Sequence, residues 1–454
     1  MTKHTVLVSA VIAAFAVSNP GFAGVTAEEA AKLKTTLTPL GGERAGNKDG
    51  SIPAWDGGYT TVPAGFKAGD KRADPFPNEK PVLKISAANV GQYADKLSEG
   101  IQALIKKYPD SFNVQVYPTH RTAAEPQWIY DNTLKNATKA KLSQDGLTIE
   151  GAYGGTPFPI PKTGSEVMWN HLLVWRGESV EYKFQVWVGG SDGKNSLAVE
   201  AKEDHQFPYY YKDGSGDKGE NGEIILLRQL QVAPPFKAGE QILVRDPIAL
   251  GTKSRQAWQY LSGQRRVRRA PTIGFDTPDF VASGQNYFDE VFMFVGSLER
   301  YQWKLLGKKE IYVPYNNNRF AQAKTEEVLA PHHLNPDKLR WELHRVWVVE
   351  ASLTPGKRHV VPKRRLYVDE DSWNVLLADG YDAEGKLWRV QHAVPLIAPD
   401  IPAVVSTTFE VFNLQAGTWE VNNLYNDQPT QYKVVPRRPD TYFSPDSLAA
   451  SGVR

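Results

Sequence analysis

Four arginines, Arg265, Arg266, Arg268 and Arg269, fall within five positions, shortly after the aromatic stretch Trp258-Gln259-Tyr260. A guanidinium presents a planar fork of donors that fits a carboxylate or phosphate through two parallel hydrogen bonds. The chemistry this predicts is capture of an anionic head group. On a strand, Arg265 and Arg269 face one side and Arg266 and Arg268 the other. Nucleic-acid binding would want them on one face. The competing reading is ion pairing with Asp246, Asp276 or Glu299.

Histidines and carboxylates offer less. His332-His333 is the only adjacent histidine pair, and neighbours on a regular element point apart, so a shared metal would need a turn there. His344, His359 and His392 lie on predicted strands near Glu342 and Glu350, which raises a general base or a metal against the ordinary half-buried sheet histidine. Asp369-Glu370-Asp371 lacks the alternation and the glycine of a calcium loop and reads as a hairpin turn. No nucleophile elbow, phosphate-binding loop, zinc-protease helix or dinucleotide fingerprint is present, and there is no cysteine. No catalytic residue, metal site or cofactor follows, and the expectation is a protein that is not an enzyme.

Elements that would position these residues change character near residue 179. Before it, helices are predicted over 26–37, with Thr26 as cap, 86–107, 125–141 and 165–175. Irregular Gly/Pro-rich stretches at 37–84 and 151–164 separate them. After it, the period falls to two. Strands are predicted over 180–189, 197–203, 206–212, 223–233, 241–249, 255–262, 265–269, 301–306, 310–314, 341–353, 358–369, 373–382, 386–396, 403–413 and 418–424, joined by short turns. So many strands must curl, close or split. The expected fold is mainly β with α: one large curved antiparallel sheet, a half-barrel, with helices from the N-terminal third covering one face. A curled sheet of this kind encloses an apolar cavity. The aromatic set Trp258, Tyr260, Trp303, Trp341, Trp347, Trp373 and Trp388 reads as core that doubles as pocket lining.

The N-terminus carries Lys3 and His4, an apolar run from Val6 to Val17, a break at Asn19-Pro20, and small residues Gly21 and Ala23. That is the layout of a secretory signal peptide, and the run is shorter than the roughly 20 residues of a membrane span. The expected organisation is a signal peptide over 1–23, an irregular and helical region over 24–175, a β domain over 176–430 and a tail over 431–454. No later stretch is long and apolar enough to span a bilayer. Without cysteine there is neither a disulfide nor a lipid-modified start to the mature chain. The formal net charge of +2 argues for neither nucleic acid nor an anionic membrane.

Several long stretches carry a resemblance. They are LTPLGGERAGNKDGSIPAWDGG (37–58), LVRDPIALGTKSRQAWQYLSGQRRVRRAP (243–271), YQWKLLGKKEIYVPYNN (301–317) and the run from Arg340 to Val390. They closely resemble a proteobacterial family known as domain of unknown function 1329, described as outer-membrane lipoprotein-sorting-like. The resemblance implies a periplasmic protein with a curved sheet of the LolA/LolB type. It also implies, as partners, an inner-membrane transporter of the resistance-nodulation-division type and an outer-membrane protein. The chain is about twice as long as those lipoprotein carriers, so its cargo need not be a lipoprotein. The function expected is a periplasmic carrier for a lipid-like hydrophobic molecule, with Trp258, Tyr260, Trp303, Trp341, Trp347 and Trp388 lining the cavity and Arg265, Arg266, Arg268 and Arg269 at a head group. The alternatives are a non-catalytic adaptor of an envelope complex, with the 38–84 segment as docking arm, and an envelope hydrolase or glycan-binding protein.

Overall fold

The computed structural model describes residues 24–452, so the expected signal segment lies outside the described residues. Sixteen strands form one sheet. Six belong to a first antiparallel meander: Ser179–Gly189, Asn195–Gln206, Glu223–Ala233, Gln241–Pro247, Gln256–Leu261 and Arg266–Arg269. Seven belong to a second: Tyr301–Pro314, Trp341–Leu353, Lys363–Asp369, Val375–Tyr381, Leu387–Ala393, Phe409–Asn413 and Thr418–Leu424. The chain's last long strand returns beside its first, with Trp419 opposite Gly189 and Val421 opposite Trp187. A short antiparallel pair, Leu83–Ile85 with Val114–Val116, attaches through one parallel bridge to Trp341.

The sheet is open but strongly curled. Phe288 and Val244 line the same cavity, and Asp289, the next residue, bonds Arg364. The strands carrying Val244 and Arg364 lie eight steps apart in the sheet. Flat, at about 4.8 Å per step, they would be roughly 38 Å apart. Only a curled sheet brings both to one short segment.

Helices cover both faces rather than one. Gly164–Leu172 is held by a capping box of Thr163 and Glu166, and it lies on the concave side. A Cβ on Gly164 would stand 2.7 Å from the backbone of Trp303, so only glycine lets helix and strand approach this closely. Its His171 ties it to the sheet, accepting from the Val375 backbone N–H at 3.2 Å. Glu99–Lys107, capped by Ser98, packs on the opposite side, where Asp379 accepts from the Gly100 backbone at 3.1 Å.

The predicted helix over 86–107 is two pieces, a 3-10 turn Val90–Lys96 and then the α-helix. The predicted strand over 206–212 is a 3-10 turn, Pro208–Tyr210. Its aromatic residues are buried because they pack under helix Gln127–Lys139, not because they alternate across a sheet. Among the described residues no helix is long and apolar enough to cross a membrane.

The irregular 37–84 segment is tied down. Trp373 donates to the Leu40 carbonyl at 2.9 Å, Arg345 to Ala45 at 2.7 Å, and Arg72 forms a buried fork on Asp400 at 2.7 and 2.9 Å. A free docking arm would show no such anchors.

Candidate functional site: a plugged concave pocket

Alternate residues of the first meander point to the concave side. Tyr182 and Phe184, Glu203 and His205, Ile225, Leu227 and Gln229, and Ile242 and Val244 follow from the register, Glu203 opposite Gln229 and His205 opposite Leu227. Over this floor lies the segment 273–298, for which the sequence predicts no element. Its Ile273, Val281, Phe288, Val291, Phe292 and Val295 close the other side. About 80 Å³ of open space is left between them. That is below the roughly 300 Å³ of a small-molecule site, because the segment's own apolar side chains occupy it.

Two buried ion-pair clusters fasten the segment. Asp289 accepts from Arg364 at 2.9 Å and meets His359 Nε2 at 2.9 Å. Burial pushes the Asp289 carboxyl up, but Arg364 and His359 outweigh it and hold it down at about 2. Glu290 takes a fork from Arg389 at 3.0 and 2.6 Å, and its carbonyl accepts from Gln391 at 3.0 Å. The segment is also strained: Phe275, Ser283, Phe292 and Met293 have φ of 49°, 54°, 52° and 72°. Left-handed non-glycine residues cost on the order of 1–3 kcal/mol each.

The floor is not uniformly apolar. Asn422 and Asn423 both reach the pocket because the register shifts between Val421 and Leu424 and Asn423 takes φ 54°. Asp279 also lines it, and burial pushes its carboxyl up to about 6. Glu420, one position from Val421, is buried with neither carboxylate oxygen partnered, and burial raises it well above the usual range. A polar cleft of about 420 Å³ shares Arg255, Ile273 and Val295 with the pocket and forms its mouth. Its charges are matched: Arg255 forks Asp246 at 2.7 and 2.6 Å, and Arg300 stands 3.6 Å from Asp276.

None of the ten expected ligand-binding residues lines the concave pocket. Trp258 and Tyr260 face the convex side. Tyr260 packs there with Leu226, Leu243, Phe443 and Leu448 beneath the C-terminal helix. Arg265 borders a convex groove with Tyr260, Arg228 and Tyr442. Arg266, Arg268 and Arg269 are exposed on the last strand, with Arg268 bonded to Gln259 at 3.1 Å. The acids expected to pair with them are engaged elsewhere, Asp246 by Arg255 and Asp276 by Arg300. Trp303 supports the plug through Phe294, ring centres 5.1 Å apart. Trp341 is buried 5.5 Å from His392, Trp347 lies under Lys308 at 4.6 Å, and Trp388 stands 6.3 Å from Tyr287.

The late-strand histidines do not meet one another. Each is buried with its own carboxylate: His344 with Glu342 at 3.0 Å, His359 with Asp289 at 2.9 Å and His392 with Glu410 at 2.6 Å. His344, Asp369 and Asp371 offer possible ligand atoms within 4.8 Å of one another. However, Arg121 forks both oxygens of Asp371 at 2.8 and 2.6 Å, taking the place a cation would need. Tyr315 and Ser372 both bond Asp369 Oδ2 at 3.0 and 2.6 Å. This cluster fastens the 37–58 segment to the sheet.

The family model described as protein of unknown function (DUF1329) matches residues 84–449. Uncharacterized protein PA3922 of Pseudomonas aeruginosa is 39% identical over 457 residues, covering 100% of both chains. Among solved structures, a DUF1329 family protein from Desulfovibrio piger is 15% identical, covering 63% of this chain and 97% of its own, with a TM-score of 0.44. An outer membrane lipoprotein-sorting protein domain from Vibrio parahaemolyticus is 13% identical, covering 60% and 91%, with a TM-score of 0.41. The LolA superfamily protein NE2245 from Nitrosomonas europaea is 13% identical, covering 63% and 100%, with a TM-score of 0.38. By the family match and the full-length relative, the chain belongs to the DUF1329 family.

Proposed function

We propose that the protein is a periplasmic carrier that holds a lipid-like molecule against the concave face of its sheet. The observation that carries this reading is the plug. Phe288, Val291, Phe292 and Val295 lie where an apolar passenger would lie, on a segment joined to the sheet by ion pairs and left-handed turns. Such a segment can withdraw without unpairing a strand, since no ladder passes through 273–298. Its withdrawal would expose the apolar floor and open it to the polar mouth. The signal-peptide layout of the first 23 residues supports export. The resemblance supplies the partners proposed with it, a resistance-nodulation-division transporter and an outer-membrane protein. Each of the three histidine–carboxylate pairs is buried and none lines the concave pocket, which favours binding over hydrolysis there.

The test is titration with a neutral apolar fluorophore such as N-phenylnaphthylamine. Saturable binding at one site, lost in Leu227→Trp, supports the carrier. Binding that never saturates, or that survives Leu227→Trp unchanged, refutes it.

A further inference from the structure

Two turns of the first meander lie side by side at one corner of the sheet. One, over 234–240, joins Glu223–Ala233 to Gln241–Pro247; the other, over 262–265, joins Gln256–Leu261 to Arg266–Arg269. A Cβ added to Gly239 would stand 3.5 Å from the Ser262 Cβ, so the turns are neighbours. The first carries Phe236, 78% exposed and the most exposed large apolar side chain among the described residues, with Val232 beside it at 38%. One apolar residue in water is ordinary by itself. Three further observations single out this corner.

The turn is held in its projecting shape. The Lys237 N–H donates to the Pro234 carbonyl at 2.9 Å, Glu240 to Lys237 at 3.1 Å, and Gly239 to Gln231 at 2.9 Å. Pro234 and Pro235 fix their own φ. Phe236 is therefore presented to water and cannot fold back.

The corner is also cationic. Lys202 and Arg265 border one convex groove with Val232, Lys237 follows Phe236, and Arg265 and Arg266 are exposed. Two acids stand near them, Glu240 and Glu200, the latter opposite Ala233. Asp246 and Asp276 are engaged elsewhere, by Arg255 and Arg300. The chain's small net charge of +2 hides this local excess.

Finally, the corner adjoins the plug. Lys237 Nζ donates to the Phe280 carbonyl at 3.1 Å, and the next residue, Val281, lines the concave pocket. Whatever the tip touches is brought beside the segment that closes the cavity.

The occupant follows from shape and charge together. A protein partner would want a broad face, about 800 Å² from each side. A phenylalanine ring offers about 150–250 Å². A bilayer needs no matching shape: an aromatic ring enters the boundary of head groups and acyl chains, and cations beside it meet lipid phosphates. We infer that this corner is a membrane-docking tip, with Phe236 inserted into an anionic phospholipid bilayer and Lys202, Lys237, Arg265 and Arg266 at its phosphates. The inference rests on the hairpin corner and not on the cavity, so it stands or falls apart from the carrier reading.

The test is flotation of the protein with vesicles of phosphatidylethanolamine and phosphatidylglycerol, beside vesicles of phosphatidylcholine alone. The wild type should float with the anionic vesicles and stay behind with the neutral ones. Its partition should weaken between about 0.1 and 1 M salt, as the Debye length falls from roughly 10 to 3 Å. Phe236→Ser should lower the partition about tenfold or more, the factor for one buried aromatic side chain. Arg265→Ala should lower it about fivefold, the share of one cation near an anionic surface. Both positions are exposed, so both variants should keep the wild-type melting temperature. Failure to float with anionic vesicles, equal flotation with both kinds, or variants that float as well as the wild type overturn the docking tip. Vesicle binding unchanged in Phe236→Ser, with loss of a cross-linked envelope protein, would overturn it in favour of a protein interface. None of these results bears on the fluorophore titration, which tests the carrier separately.

Discussion

Asp289, on the segment that fills the concave face, and Arg364, on the sheet beneath it, meet at 2.9 Å with both side chains buried. The pair joins an irregular segment to the second meander, while the segment's apolar side chains lie on the first. It therefore holds the two halves of the curl around one plug. Removing one member of such a pair leaves the other charge buried alone, at a cost of about 3–5 kcal/mol. Arg364→Met should destabilise by that order, and its first effect should be faster hydrogen exchange over 276–295 while the sheet stays protected. Adding Asp289→Leu should restore part of the loss. Unchanged exchange over 276–295 in Arg364→Met would show that the pair does not hold the plug.

Ligand entry must move the plug, and the chain's lack of cysteine makes this easy to follow. Ala282 is fully buried within the segment. In Ala282→Cys the only thiol should react slowly with a maleimide in the empty protein. The rate should rise several-fold when the pocket is loaded. A rate that falls on loading would mean that the ligand binds beneath a plug that stays shut.

Acidity should also tune the plug. Asp279 has its folded pKa raised from 3.8 to about 6, chiefly by burial. Between those values the unfolded chain has released the proton and the folded one has kept it, so stability falls as pH rises through the window. Below about pH 4 the group costs nothing, and above about pH 6 it costs on the order of 3 kcal/mol. Asp279→Asn, which keeps an acceptor for the Val281 N–H, should therefore raise the melting temperature at neutral pH and change it little near pH 4. An equal shift at both pH values would assign the effect to packing.

The exposed arginines give a contrasting prediction. Arg266→Ala, Arg268→Ala and Arg269→Ala lie on an open edge strand, where surface substitutions change stability by about 0.5 kcal/mol or less. They should leave fluorophore binding unchanged. Loss of binding in any of them would move the head-group site to the sheet edge.

The alternating pattern located the sheet well: 223–233, 341–353 and 418–424 are strands over the residues expected. Thr26 caps the first helix in a capping box with Glu29, as their spacing implied. The site was less legible. Tryptophan and arginine attracted attention by type, but which face they take depends on register and curl, and register put Trp258 and Tyr260 on the convex side. The plug carries a short helical period, Phe288, Val291, Phe292 and Val295 at i, i+3, i+4 and i+7, but it spans only two turns. The segment folds as a 3-10 turn, Phe288–Met293, broken at Val291 and Phe292, so the period does not mature into a helix. A second signal is the density of aromatic and acidic residues over 287–294, acids that find Arg364 and Arg389 only after folding. The polar floor was hidden similarly, because Asn423 reaches the pocket through a bulge that no propensity marks.

The most direct measurement is native mass spectrometry of the full protein purified gently from the cell envelope, beside Leu227→Trp. The carrier should show a wild-type population heavier than the bare chain by one small apolar molecule, released on denaturation and missing from Leu227→Trp. A wild-type protein found only at its bare mass, from envelopes rich in candidate lipids, would contradict it.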